Sequence, residues 1–103
     1  MPRGDTRLRA DNGEMNQVAD RMRQRRRALK MTQERLCGRL AEVTESRWLA
    51  DRQEVFRIEA GGRIVSDVEL LALAKALECS ACWLLTGEGD FAQQKPSSPT
   101  QPG

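Results

Sequence analysis

The chain has 103 residues, 31% of them charged and 39% hydrophobic, with a formal net charge of +2. That length allows one domain at most, and the chain lacks histidine and tyrosine, two of the usual carriers of acid–base chemistry, while histidine is also a common metal ligand. No apolar run is long enough to span a bilayer, and the opening MPRGDTRLRAD lacks the apolar segment of a secretory signal. The protein is therefore expected in the cytoplasm, where its three cysteines would stay as thiols.

Charge is unevenly distributed. Residues 1–31 hold nine Arg or Lys against four acids, so the rest of the chain sums to −3. A basic N-terminal part fits a polyanionic partner, though a charge run is more often just a solvated helix face. Residues 1–13, rich in Arg, Asp and Gly, are expected to form a flexible basic arm. The first helix is predicted from Met15 or Asn16 to Leu29, with Val18, Met22 and Leu29 as its apolar stripe and Ala19 and Ala28 beside it. Asp20 near its start and Arg25 to Lys30 near its end suit the helix dipole. The Arg25-Arg26-Arg27 run reads either as a solvated last turn or as guanidiniums reaching a phosphate. Arg26 is also placed to pair with a carboxylate such as Glu59.

The second helix opens at Thr32, an N-cap residue whose hydroxyl can accept from a free first-turn N–H, and runs through Leu40, with a possible extra turn over residues 41–43. Leu36 and Leu40 share its inner face. Gln33 stands in its first turn, where a side-chain amide and free backbone N–H groups together can hold an anion. Cys37 is expected to be a small buried residue. Gly38 costs about 1 kcal/mol against alanine unless it permits close packing. Residues 41–50 are irregular: Trp48 and Leu49 are too apolar to stand fully exposed without cause, and Trp48 either caps the core edge or faces a partner.

The third helix is predicted over Asp51 to Ala60, with Asp51 as N-cap, Val55 and Ile58 inward, and Gly61-Gly62 closing it in the left-handed conformation. Outside are Arg52, Gln53 and Arg57, types that hydrogen-bond base edges and phosphates, and Phe56, which suits either a thymine methyl or a protein interface. Two short helices across a break, the second with a polar cationic outer face, make a helix-turn-helix. Arg63 to Val65 form an extended link. Ser66 and Glu69 make a capping box for a fourth helix that presents Val68, Leu71 and Leu77, widened by Leu70, Leu73 and Ala74. It is apolar enough to be the central core helix. Ser80 caps a fifth helix, in which Trp83, Leu84 and Leu85 pack and which Gly87 ends. Cys79 and Cys82 form a C-x-x-C pair, but zinc would need a fourth ligand and there is no histidine, and the strand–helix context of a redox site is absent. Both are therefore read as structural thiols, and no metal or cofactor is expected. Residues 88–103, Pro- and Ser-rich, are expected to be disordered.

The segments NQVADRMRQRRRALKMTQERL, RQEVFRIEAGGR and SDVELLALAKALECSACWLL, in this order, resemble the phage-repressor and Cro-like helix-turn-helix domains. The resemblance implies an all-α, compact five-helix DNA-binding domain over residues 14–87. It gives Arg52, Gln53 and Arg57 base contacts from the recognition helix, Gln33 a phosphate or base contact and Arg63 a contact to the phosphate backbone, while Glu59 resembles a structural residue. Thr32 and Arg26 are expected beside them as phosphate contacts. Two features depart from the common pattern: 26 positions separate Thr32 from Ile58 where the family has a tight turn, as in a subgroup with a longer, Trp-containing connection, and Arg25 stands where a small or apolar residue is usual. The implied protein is a sequence-specific double-stranded DNA-binding transcriptional regulator of prokaryotic or phage type, acting as a homodimer without a small-molecule ligand. The alternative is a protein-interaction module that has kept the fold and lost DNA, favoured by Glu45, Glu54 and Phe56. A third reading, an enzyme, is disfavoured by the absence of histidine and tyrosine, of a phosphate-cradling glycine loop and of convincing paired carboxylates, the usual carriers of acid–base or metal chemistry.

Overall fold

A computed structural model of the protein describes residues 8–89. The expectations for the first seven residues of the arm and for residues 90–103 of the tail lie outside the described residues. Among the described residues there are five α-helices and no strand: α1 (Ala19–Ala28), α2 (Gln33–Val43), α3 (Arg52–Glu59), α4 (Asp67–Ala76) and α5 (Ala81–Thr86). None is long and apolar enough to cross a membrane.

Local chemistry starts and stops these helices. Thr32 Oγ1 accepts from the Arg35 N–H at 2.9 Å and Asp51 Oδ1 from that of Glu54 at 2.8 Å. Ser66 and Glu69 exchange both bonds of a capping box, and Ser80 Oγ accepts from the Trp83 N–H at 3.0 Å. At the end of α3, Gly61 takes φ +77°, its N–H donates to the Ile58 carbonyl, and the Gly62 N–H donates to that of Arg57. The same closure ends α1, α2 and α4, but with Lys30, Glu45 and Glu78 at φ 54–56°. A side chain there costs about 1 kcal/mol or more, which the surrounding packing offsets.

The core lies where α2 meets α3 and α4, with α1 on α3 and α5 on α4. Met22, Leu36, Leu40, Val55, Ile58, Leu73, Leu77 and Leu84 are all fully buried, each adding about 1.5–3 kcal/mol of transfer free energy. Cys79 is buried with them, and burial pushes its thiol up to about 11. Cys82 is exposed.

Several expectations change. In α1 the regular turns begin at Ala19 rather than Asn16, because the Asn16 side chain caps the entry, and Ala28 is exposed. Continuing through Val43, α2 takes the additional turn. Cys37 is only half-buried, and Gly38 faces solvent, where an added Cβ would meet nothing closer than the Arg35 guanidinium at 3.6 Å. Leu49 is 71% exposed despite its apolarity, and Leu85 is also exposed.

The largest correction concerns α4. It buries Leu73, Ala76 and Leu77, whereas Val68 and Leu71, expected in its inner stripe, are 69% and 57% exposed. A helix apolar all round has no periodic signal with which to choose its inner face. Residues 10–14, at the end of the expected flexible arm, form a hydrogen-bonded turn, and the Met15 N–H donates to the Gly61 carbonyl at 2.8 Å.

Candidate nucleic-acid interface

Seven of the eight residues of α3 divide between two faces, with Glu54 at the boundary. Val55, Ile58 and Glu59 point inward, while Arg52, Gln53, Phe56 and Arg57 form a solvent-facing stripe. Their spacing explains this: positions 52, 53, 56 and 57 fall on one side of a helix of 3.6 residues per turn. The side chains of Arg52, Gln53 and Arg57 form no hydrogen bond or ion pair with any described residue. Phe56 is 58% exposed among them.

Beside this stripe is the start of α2. Arg26, Thr32, Gln33, Glu34 and Arg52 line one open concavity of about 440 Å³. Four of the seven residues expected to contact DNA therefore meet around one depression, and Gln53 and Arg57 continue outward from it along α3. Glu34 brings one opposing charge to the rim.

Beneath the concavity lies the buried carboxyl residue Glu59. Arg26 donates to both of its carboxylate oxygens, at 2.7 and 3.0 Å, and to the Met31 carbonyl at 2.9 Å. Gln33 Nε2 donates to Glu59 Oε1 at 3.1 Å, and Arg23 donates to the Glu59 backbone carbonyl. This hub ties α1, the start of α2 and the end of α3 together. Hydrogen bonding to Glu59 raises the Arg26 pKa against the opposing effect of burial, which keeps the guanidinium charged. Arg26 lines the concavity with its guanidinium already engaged, and Gln33 presents an amide held from behind.

Arg63 is not brought to this depression. It donates to Glu69 through two bonds of 2.9 Å and to Glu54 at 2.8 Å, and its guanidinium carbon stands 5.9 Å from the centre of the Trp48 ring. The hydrogen bonds and charge of Glu69 raise the Arg63 pKa, and Arg63 in turn lowers that of Glu69. Glu54 is thereby occupied within the protein. Trp48 packs partly buried against the core edge.

Four residues have roles that the sequence did not announce. Asn16 is buried and makes four hydrogen bonds: its amide donates to the Ile58 and Arg63 carbonyls, and its oxygen accepts from the Val18 and Ala19 N–H groups. It fixes both ends of the α3 exit against the start of α1. An Asn ahead of an amphipathic run is the available signal, and it shows only the capping half. Thr44, within the stretch expected to be irregular, donates to the Leu40 carbonyl and accepts from the Trp48 N–H, so it sets the path of the α2–α3 connection. Arg21 donates to the Leu84 and Leu85 carbonyls at 2.8 Å and thereby closes the end of α5. Arg25 does the same for the end of α4 through the Leu77 and Glu78 carbonyls.

Among the described residues no cluster of three or more His, Cys, Asp or Glu is arranged to hold a metal ion. No family model, characterised protein or solved structure matches this chain.

Proposed function

We propose that the protein is a sequence-specific double-stranded DNA-binding protein, a transcriptional regulator of the phage-repressor and Cro-like helix-turn-helix class with a lengthened connection between α2 and α3. The observation that carries this reading is the outer stripe of α3: Arg52, Gln53 and Arg57 are exposed and unpartnered within the described protein, beside the capped start of α2. Arg recognises guanine and Gln adenine through paired hydrogen bonds on the major-groove edge. In the proposed mechanism α3 enters the major groove, and Thr32, Gln33 and the first-turn N–H groups of α2 meet the phosphate backbone. The Glu59 hub fixes the angle between the two helices. Arg26 and Arg63, engaged by acids in the free protein, act on phosphate as supports of this frame or by sharing their outer N–H groups. A reader this small covers few base pairs, which calls for a homodimer on half-sites one helical turn apart.

Phe56 favours a second reading, a protein-interaction module on the same fold, because a large exposed aromatic in the middle of the stripe also suits an apolar partner. Selection of bound sequences from a randomised duplex pool at two salt concentrations separates the two. The DNA reading expects an enriched palindromic motif with affinity that falls as salt rises. Absence of retention even at low salt rejects it in favour of the protein partner.

A further inference from the structure

The exposed face of α4 has a pattern of its own. Val68 and Leu71 are 69% and 57% exposed, and with Trp48 and Val43 they border a groove of about 500 Å³ between the end of α2 and the first half of α4. Leu49, in the α2–α3 connection, is 71% exposed as well. Asp67 lies four residues before Leu71 and Lys75 four residues after it; both are exposed, and neither has a partner among the described residues. Eight residues of helix separate the two charges by about 12 Å, too far for them to pair with each other. Turned about a two-fold axis at Leu71, however, Asp67 of one helix comes opposite Lys75 of another.

We propose that this face joins two copies of the chain about a two-fold axis at Leu71. The two α4 helices run antiparallel, and each Asp67 faces Lys75 of the other copy. An isologous contact must be self-complementary, and this one matches in both respects: apolar at the axis, with opposite charges at equal distances on either side. Leu71 and Val68 supply an apolar centre and Asp67 and Lys75 a charged rim, the layout of a specific interface. Each copy's Val68 and Leu71 would close the other's groove. The inference rests on the DNA reading only in naming the dimer that reading calls for, since the surface lies outside the Arg52–Arg57 stripe and its association needs no DNA.

The test is sedimentation of the full chain across a concentration series, without DNA. The wild type is expected to dimerise. Leu71→Glu, at an exposed site, should keep the wild-type helix content by circular dichroism and sediment as a monomer. Asp67→Lys and Lys75→Asp alone should each weaken dimerisation by about tenfold or more, and the double exchange should restore it. A wild type monomeric throughout, a Leu71→Glu variant that still dimerises, or a double exchange that restores nothing overturns the proposal. DNA retention by the wild type, scored separately, decides the DNA reading whichever way sedimentation falls.

Discussion

The arginines of α1 and those of α3 are chemically identical and are used in opposite ways. On α1, Arg21 and Arg25 cap the ends of α5 and α4, and Arg23 and Arg26 hold the end of α3. On α3, Arg52 and Arg57 hold nothing in the described protein. A guanidinium that already donates to carbonyls or a carboxylate must surrender those bonds to meet a ligand, whereas one in water gives up only hydration. Local charge density is thus a poor guide to a binding face. The cation-rich N-terminal helix serves folding, and the shorter helix with two free arginines is the candidate reader.

Breaking the α1 side of this comparison should have the largest effect. Glu59→Ala leaves the mostly buried Arg26 without its carboxylate and should cost about 3 kcal/mol or more in chemical denaturation. Loss of under 1 kcal/mol would mean that the hub does not hold the helices. Asn16→Ala strands two carbonyls and removes the α1 cap, for a loss of about 2 kcal/mol. An unchanged melting temperature would show that water replaces the amide. Gly38→Ala, on the open side of α2, should stabilise by up to about 1 kcal/mol and gives a sturdier background for the α1 variants. A destabilised Gly38→Ala protein would show that this side of α2 is covered.

The remaining prediction concerns Arg63, which the comparison groups with the α1 arginines. Hydrogen bonding to Arg63 lowers the Glu69 pKa below its ordinary 4.5. The associated stability is therefore complete above that ordinary value and is lost as the pH falls through the lower folded value. Acid titration of stability should show this loss in the wild type and a smaller one in Glu69→Gln. Equal acid sensitivity would place the linkage elsewhere.

What the sequence revealed follows the range of each interaction. The caps at Thr32, Asp51, Ser66 and Ser80 were legible because donor and acceptor lie within three residues of each other. The exposed stripe of α3 was legible because polar residues alternate there with Val55 and Ile58 at helical spacing. The Arg26–Glu59 pair was in view as a charge match. Nothing in sequence marked Arg21 and Arg25 as caps of α5 and α4, since their acceptors are backbone carbonyls that every residue has. Nor did sequence orient α4: leucines and alanines all around it left its inner face to be chosen by the helices packed against it, and the structure leaves Val68 and Leu71 outside.

Two variants measured side by side test the contrast between the arginines most directly: Arg25→Ala and Arg57→Ala, each examined for melting temperature and for affinity to a duplex selected by the wild type. Arg25→Ala should lose about 1 kcal/mol or more of stability and keep its affinity once corrected to folded protein. Arg57→Ala should melt like the wild type and lose affinity by about 1–3 kcal/mol. An Arg57→Ala protein that binds the duplex as well as the wild type would contradict the assignment of α3 as the DNA-reading helix.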